Sequence, residues 1–336
     1  MASINSTAAY QETLSLALED RSAGLQDLVA NSNVLLYTLK QKGMWKEYSG
    51  PAIRERLLYN ETGSGIFYSG YQFLNPVAAE LVNDAVWTPK MGAVSVVLSN
   101  EEILNNSGES QMMDILEVHI NAAEQELMDL VDTALHSDGT GYGGKQFTGL
   151  LTALPTTTNS GTYGGISRVD NAIWRTTTYD ANSAFSGITA VSSTTVRSIM
   201  NQIMTLRSRG KKGPDLVLMS SEHYNAFDAA TVAIQRINDQ NSLGKNGFAS
   251  LKYYGAGKQV DVVLEGGIGS NMAANVSYFL DTDSLRFRYH PERNFSKIGK
   301  AQMPINQDAV VQHIGIMGEL TMTNPLHMVK LYDSSP

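Results

Sequence analysis

The longest run of regular hydrophobic spacing lies in the first half of the chain. Seven apolar residues recur there at alternating steps of three and four positions, the spacing of one face of an α-helix: Met113, Leu116, Ile120, Ala123, Leu127, Leu130 and Ala134. Asn106 or Ser107 can cap the start of this helix, and Gly139 follows its expected end. The pattern predicts a helix over residues 107–136, about 45 Å long. A body that holds such a helix is expected to be elongated, and an isolated coiled coil of about three heptads is the alternative.

Shorter segments show the patterns of strands and of further helices. Val94, Val96 and Leu98 alternate with small or polar residues, which is typical of a strand with one buried face. A second amphipathic helix is predicted over residues 196–206, and Ser221 opens a short third helix. Further strands are predicted at residues 216–219, 260–264, 276–280, 285–289 and 309–323. Strands separated by helices in this way predict a mixed α+β fold.

Residues 45–90 are rich in aromatic side chains. Eight of these 46 residues are Trp, Tyr or Phe, whereas the whole chain is 8% aromatic. Strand-like runs lie on either side of the turn-rich residues 60–65, which are therefore predicted to form a hairpin tip. Aromatic residues on a hairpin either fill the core of their own chain or anchor a contact with another subunit, where such residues are enriched. The sequence leaves both interpretations open.

The charges are distributed unevenly. The net charge of −8 argues against nucleic-acid binding through a strongly basic surface. Residues 91–144 contain ten acidic residues and no Lys or Arg, while basic residues cluster elsewhere. The acidic stretch is either a solvated helix face or a surface that meets a basic surface of another copy.

Composition and the absence of motifs exclude several classes of protein. The chain has no Cys, which excludes a disulfide scaffold, a zinc finger, an iron–sulfur site and a cysteine nucleophile. No apolar run approaches the ~20 residues of a membrane-spanning helix. The first residues show no secretory signal, so we expect an intracellular product.

No catalytic constellation emerges from the polar residues. The six histidines have no metal-ligand spacing and are predicted to be surface or packing residues. The glycine-rich residues 139–144 follow a helix, whereas a dinucleotide fingerprint requires a strand before it. A phosphate-binding P-loop and a GxSxG nucleophile elbow are absent from the sequence. We therefore expect neither an enzyme nor a cofactor or metal site.

Several short segments, taken in order, resemble one protein family. They are NVLLYTLKQKG (33–43), SNEEILNNSG (99–108), LHSDGT (135–140), FTGL (147–150), YGGISR (163–168) and WR (174–175). Their order and spacing resemble the major capsid proteins of tailed double-stranded DNA bacteriophages, whose fold is typified by phage Hong Kong 97. The resemblance extends from about residue 31 to the C-terminus.

The resemblance implies a domain arrangement. It implies an α+β, Hong Kong 97-like capsid fold with an N-terminal arm (1–43) and an extended β-hairpin loop (44–90). The peripheral domain, with a long spine helix, would comprise residues 91–147 and 276–336. The axial domain would comprise residues 148–275.

The resemblance also implies a function. The chain would be a structural subunit that assembles through pentamers and hexamers into the icosahedral phage head, which encloses the double-stranded DNA genome. It would be located in the virion capsid and be assembled in the host cytoplasm. The alternative is an encapsulin-like nanocompartment shell that holds cargo enzymes.

The implied partners are other copies of the chain, with portal, scaffold and decoration proteins, and DNA contacted non-specifically; no membrane is expected. Arm and loop residues are expected to bury aromatic side chains in neighbours and to neutralise the acidic helix face. The candidate interface residues are Lys40, Lys42, Trp45, Arg54, Arg56, Tyr59, Phe67, Tyr68, Tyr71, Glu109, Glu117 and Glu124.

Overall fold

Two larger β-sheets and one long helix organise the chain. The computed structural model describes residues 33–58, 66–71, 82–101, 109–210, 212–231, 250–255, 257–265 and 271–334. The helices are α1 (Val34–Gln41), α2 (Glu109–His136), α3 (Val196–Arg207) and α4 (Ser221–Thr231), with single helical turns at Gly141–Gly144 and Leu150–Ala153. No helix among the described residues combines the length and apolar character that a membrane span requires.

Fifteen strands are found in the described part of the chain. They are β1 (Trp45–Glu47), β2 (Ile53–Leu58), β3 (Val82–Trp87), β4 (Lys90–Ser99), β5 (Thr162–Tyr163), β6 (Ile166–Ser167), β7 (Thr177–Asp180), β8 (Leu216–Met219), β9 (Ser250–Gly255), β10 (Lys258–Leu264), β11 (Val276–Leu280), β12 (Leu285–Tyr289), β13 (Ser296–Gln302), β14 (Ala309–Met322) and β15 (Val329–Tyr332). The α+β composition is confirmed. The strands predicted at residues 216–219, 260–264, 276–280, 285–289 and 309–323 lie within two residues of those bounds, whereas β4 begins four residues before Val94.

The long helix α2 packs on a five-stranded sheet. Strand β14 is the centre of this sheet, since it pairs with β12 and β13 along one edge and with β4 along the other. Ile120, Ala123 and Leu127 of the predicted apolar stripe are buried beneath α2, together with Val131. The helix ends at His136 as predicted, and its 28 residues extend over about 42 Å. The predicted capping positions lie outside the described residues.

A six-stranded sheet forms the second layer, in the order β7-β15-β11-β8-β10-β9. Helix α3 contributes Ile199, Met200 and Ile203 to a buried cluster that also contains Val217 of β8 and Phe279 of β11. All four residues of β8 are buried, which explains why this strand is an uninterrupted apolar run. Strands β11 and β15 belong to this sheet, so the predicted domain boundary at residue 276 divides it.

The Gly- and Thr-rich segment after α2 is mostly irregular, as predicted, and polar side chains hold it in place. The buried Arg168 guanidinium donates to the carbonyl oxygens of Thr152 and Ala153, at 2.9 and 2.7 Å. The Trp174 indole donates to the Tyr163 carbonyl at 2.9 Å. Gly164 adopts a φ of 56°, and a Cβ at this position would lie 2.7 Å from the Trp87 ring. Only glycine fits this contact without a shift of the backbone or the ring.

Strands β2 and β3 form an antiparallel ribbon beside this segment. Ile53 pairs with Trp87, and Leu58 pairs with Val82. The predicted hairpin was wrong in one respect: the strand that returns to β2 is β3, and the described residues 66–71 immediately after the predicted tip form no strand. The tip residues 60–65 themselves lie outside the described residues.

Candidate subunit-interface surface

Residues 66–71 present large apolar side chains to solvent. Phe67 and Tyr71 are fully exposed, at 106% of the reference value, and Ile66 and Tyr68 are at least half exposed. We call Ile66, Phe67, Tyr68 and Tyr71 the loop surface. Large aromatic side chains exposed side by side are typical of interaction sites, because leaving them in water forfeits the free energy of apolar burial.

The β2–β3 ribbon that leads to this loop has two different faces. Ile53, Leu57 and Trp87 are buried on one face, whereas Arg54 and Arg56 are exposed on the other. This division follows from the alternation of side chains along a strand. Both arginines therefore present guanidinium groups to solvent. Tyr59, the next candidate along the chain, lies outside the described residues.

A buried carboxylate attaches the ribbon to the five-stranded sheet. Glu55 Oε2 lies 2.7 Å from Arg286 Nη1, and Glu55 Oε1 lies 2.6 Å from Arg288 Nη2. The Glu55 side chain is 5% exposed, so its charge depends on the two guanidinium groups of β12 for compensation. The ion pairs therefore fix the ribbon to strand β12. The sequence analysis missed this role of Glu55.

The candidate residues around α1 mainly contact their own chain. The Lys42 ammonium contacts the carboxylate of Asp215, which also accepts hydrogen bonds from the backbone and hydroxyl of Thr282. Lys40 is half-buried at the end of α1. The Trp45 ring packs 4.8 Å from the Phe287 ring. For Trp45, the structure favours the interpretation that it fills the core of its own chain.

The acidic candidates on α2 do not form one exposed face. Glu117 is exposed, but Glu124 is buried. Glu109 is the first residue of the helix, and its side chain is outside the described side chains. Residues 66–71 thus carry four exposed apolar side chains, whereas Arg54 and Arg56 lie on the exposed face of the ribbon and Glu117 lies on α2.

A cleft opens beside α2. It has a volume of about 350 Å³ and is lined by Met91 of β4, Leu130 and Glu126 of α2, and Tyr142 and Phe147. Met91 and Tyr142 are largely exposed. The sequence analysis did not find this second apolar surface, because its walls come from three separate segments.

Two buried carboxyl groups also escaped the sequence analysis. Glu319 Oε1 accepts a hydrogen bond from the Thr148 backbone at 2.5 Å, and burial raises the pKa of Glu319 to about 8. Burial likewise raises the pKa of Glu265 to about 8, with a further contribution from Asp132. Glu319 stands between apolar residues in β14, and a charged residue inside an apolar strand is the sequence feature that could have indicated a buried carboxyl group.

Comparisons with known proteins identify the fold. No protein-family model matches the chain, and no curated protein matches it. The structure is similar to the capsid asymmetric unit of cyanophage A-1(L), with a TM-score of 0.63 at 15% identity over 88% of this chain and 92% of that chain. It is also similar to the capsid of the native GTA particle, with a TM-score of 0.55 at 13% identity over 88% of this chain and 90% of that chain. The chain therefore has the α+β fold of these capsid proteins, and the resemblance to phage capsid proteins is confirmed at the level of the fold.

Proposed function

We propose that the chain is the major structural subunit of a phage head. It assembles through pentamers and hexamers into an icosahedral shell that encloses double-stranded DNA, in the virion capsid after assembly in the host cytoplasm. The loop surface carries this proposal, because Phe67 and Tyr71 are fully exposed in a chain that has the fold of capsid proteins. A non-catalytic, structural role agrees with the absence of a catalytic motif from the sequence.

In this proposal the parts of the fold have separate tasks. The ribbon β2–β3 with residues 59–81 is the extended loop, and residues up to 43 form the arm. Helix α2 and the five-stranded sheet form the peripheral domain. The six-stranded sheet forms the axial domain, whose irregular segments line the axis of each ring. The further partners that we propose are portal, scaffold and decoration proteins, with packaged double-stranded DNA contacted non-specifically.

The free energy gained by burying the loop surface favours a shell, in which the contact is repeated, over an isolated dimer. Full burial of one large apolar side chain contributes roughly 1.5–3 kcal/mol. Four loop-surface side chains therefore contribute at most roughly 6–12 kcal/mol, because Ile66 and Tyr68 are already partly buried. This is comparable to the roughly 4–15 kcal/mol cost of immobilising a free partner. One loop contact alone gives weak association. A ring or shell repeats the contact around each subunit, so that association becomes cooperative.

The cleft beside α2 is the surface that we propose for a neighbour's loop. Its walls combine the apolar side chains of Met91, Leu130 and Phe147 with the carboxylate of Glu126. An aromatic ring fills such an apolar cleft, and Arg54 or Arg56 on the ribbon offers a charge for the carboxylate. This contact would bury aromatic side chains in a neighbouring subunit and pair a basic residue with an acidic residue of α2, as the sequence predicts.

Electron microscopy of the purified full-length chain tests the proposal. Closed particles or five- and six-membered rings are expected from the wild-type protein. The double variant Phe67→Ser/Tyr71→Ser should abolish them while circular dichroism of the subunit stays unchanged. Tyr254→Ser removes an exposed tyrosine on β9 and is the matched control. Unimpaired assembly of the double variant would refute the role of the loop surface.

The nucleic-acid content of isolated native particles separates the two kinds of shell. Double-stranded DNA is expected inside a phage head. Particles filled with an enzyme and lacking DNA would instead establish the nanocompartment. A wild-type chain that stays monomeric at high concentration across salt and pH would contradict both.

A further inference from the structure

Three metal-binding side chains meet where α2 ends against the six-stranded sheet. Asp132 and His136 are one helical turn apart on α2, and Glu265 directly follows β10. One potential ligand atom from each residue lies within 4.8 Å of the other two. This cluster is separate from the loop surface and from the cleft, and neither assembly surface uses it.

His136 is the most informative member of the cluster. Its side chain is 2% exposed, and its Nδ1 lies 3.1 Å from the Asp132 carbonyl oxygen. A carbonyl oxygen only accepts, so Nδ1 carries the proton in this contact and Nε2 presents its lone pair. None of the described residues forms a hydrogen bond with Nε2, which points to Glu265 Oε1 at 3.7 Å. Metal-binding histidines typically show this arrangement, with the other ring nitrogen bonded to a carbonyl.

The carboxylate of Asp132 is held in a defined orientation. The Asn33 amide nitrogen donates to Oδ1, and the Asn271 amide nitrogen donates to Oδ2 at 3.2 Å. Asn33 also caps α1, where its Oδ1 accepts the Leu36 N–H at 3.0 Å. The cap occupies the amide oxygen, so the amide nitrogen is left to face Asp132. Asp132 is thus oriented by outer contacts of the kind that surround metal ligands.

Glu265 completes the cluster from the sheet. Its backbone N–H donates to the Met219 carbonyl at 3.0 Å, which fixes its position at the end of β10 beside β8. Its side chain is 7% exposed. Together with Asp132 it places two carboxyl groups beside one imidazole in a site that is mostly shielded from solvent. A divalent cation would compensate the carboxylates while leaving the imidazole neutral.

We propose that Asp132, His136 and Glu265 bind one divalent transition-metal ion, of which Zn²⁺ is the representative. One imidazole nitrogen with two carboxylate oxygens suits Zn²⁺, whereas Mg²⁺ and Ca²⁺ prefer oxygen ligands alone. Two ligands at about 2.0–2.2 Å from a tetrahedral ion are about 3.3–3.6 Å apart. The 3.7 Å between His136 Nε2 and Glu265 Oε1 is close to this separation. Asp132 Oδ1 lies 3.6 Å from the other ring nitrogen, Nδ1, so Asp132 approaches the site from that side of the imidazole. Asp132 is 21% exposed, so solvent gives the ion an entry path and a water ligand.

Such an ion would connect three parts of the fold. Asp132 and His136 belong to the helix on the five-stranded sheet, Glu265 belongs to the six-stranded sheet, and Asn33 links Asp132 to α1. Binding to the folded state alone stabilises it by an amount that grows with the logarithm of the ratio of free metal concentration to Kd. Zn²⁺ should therefore raise the melting temperature of the metal-free subunit.

Isothermal titration of the metal-free, full-length chain with ZnCl₂ tests the proposal. We expect one ion per chain. His136→Gln and Glu265→Gln should each weaken binding at least about tenfold, and Gln at position 265 retains the shape of a protonated carboxyl group. Asp129→Asn removes an exposed acid from the same helix and should leave binding unchanged.

Several results would overturn the metal site. They are the absence of saturable binding, equal affinity in the Gln variants and the wild type, and equal affinity for Mg²⁺ and Zn²⁺. The visible absorption spectrum of Co²⁺ added to the metal-free wild-type chain is a second test of the site, and it requires no variant. Intense bands of four-coordinate Co²⁺ are expected, and the weak spectrum of the hydrated ion would contradict the site.

Discussion

The buried carboxyl group of Glu319 should make subunit stability depend on pH. Its pKa is about 8 in the folded chain against a reference value of 4.5, because burial disfavours the charged form. The unfolded chain loses this proton above pH 4.5 while the folded chain keeps it. The free energy of unfolding should therefore fall as pH rises from about 4.5 to about 8, by at most about 1.4 kcal/mol per pH unit. Above about pH 8 the group contributes no further change.

Glu319→Gln isolates this contribution. Gln retains an oxygen that can accept the Thr148 N–H and cannot ionise. The free energy of unfolding of the variant, measured with urea at pH 5, 6.5 and 8, should rise relative to that of the wild type as pH increases. Between pH 5 and pH 8 this gain is at most about 4 kcal/mol. Asp129→Asn, on the exposed face of α2, is the control. Parallel pH profiles for Glu319→Gln and the wild type would refute the assignment of a buried, protonated Glu319.

Two further substitutions test the ribbon and its support, with urea unfolding of the subunit as the measurement. Glu55→Ala leaves two guanidinium groups of β12 without their carboxylate and should cost about 3–5 kcal/mol, whereas Arg54→Ala on the exposed face should change stability by less than about 0.5 kcal/mol. Gly164→Ala should cost about 1–3 kcal/mol more than Gly165→Ala, since both residues have positive φ but only a Cβ at position 164 collides with the Trp87 ring. Equal losses within either pair would contradict the contact concerned.

Segments whose burial is one-sided and local were predictable from the sequence. Helix α2 has one buried stripe, and its end at His136 followed from the turn residues after it. Strands β8 and β11 are buried on both faces, so each is a short apolar run between turns. In these segments the spacing of apolar residues along the chain is sufficient to predict the helix or strand.

Pairings between distant residues were not predictable. The strand that pairs with β2 lies 23 positions further on, after residues 59–81, and local spacing favoured an earlier return. Asp132 and His136 are visible as an i, i+4 pair, but Glu265 is 129 positions beyond His136 and joins them only through the sheet. The pairing of β15 with β11 similarly could not be read from either strand alone.

The sequence leaves two alternatives for the aromatic residues: packing in the core of their own chain, or contact with another subunit. Trp45 packs against the aromatic side chains of the five-stranded sheet, whereas Phe67 and Tyr71 are exposed. The difference depends on whether a sheet edge is available beside the segment. Trp45 lies in β1, which pairs with β12, and residues 66–71 form no strand. Amino-acid composition alone therefore does not show which aromatic residues are buried and which are exposed.

The position of β15 has a consequence for how the polypeptide is made. Residues 329–332 sit between β7 and β11, so until the ribosome has synthesised them β7 has no strand partner and β11 is paired on one side only, with β8. A nascent chain that has reached only β14 would carry two open strand edges, which are prone to pair with other chains. A chain that ends before Val329 therefore leaves the six-stranded sheet incomplete, and we expect it not to assemble.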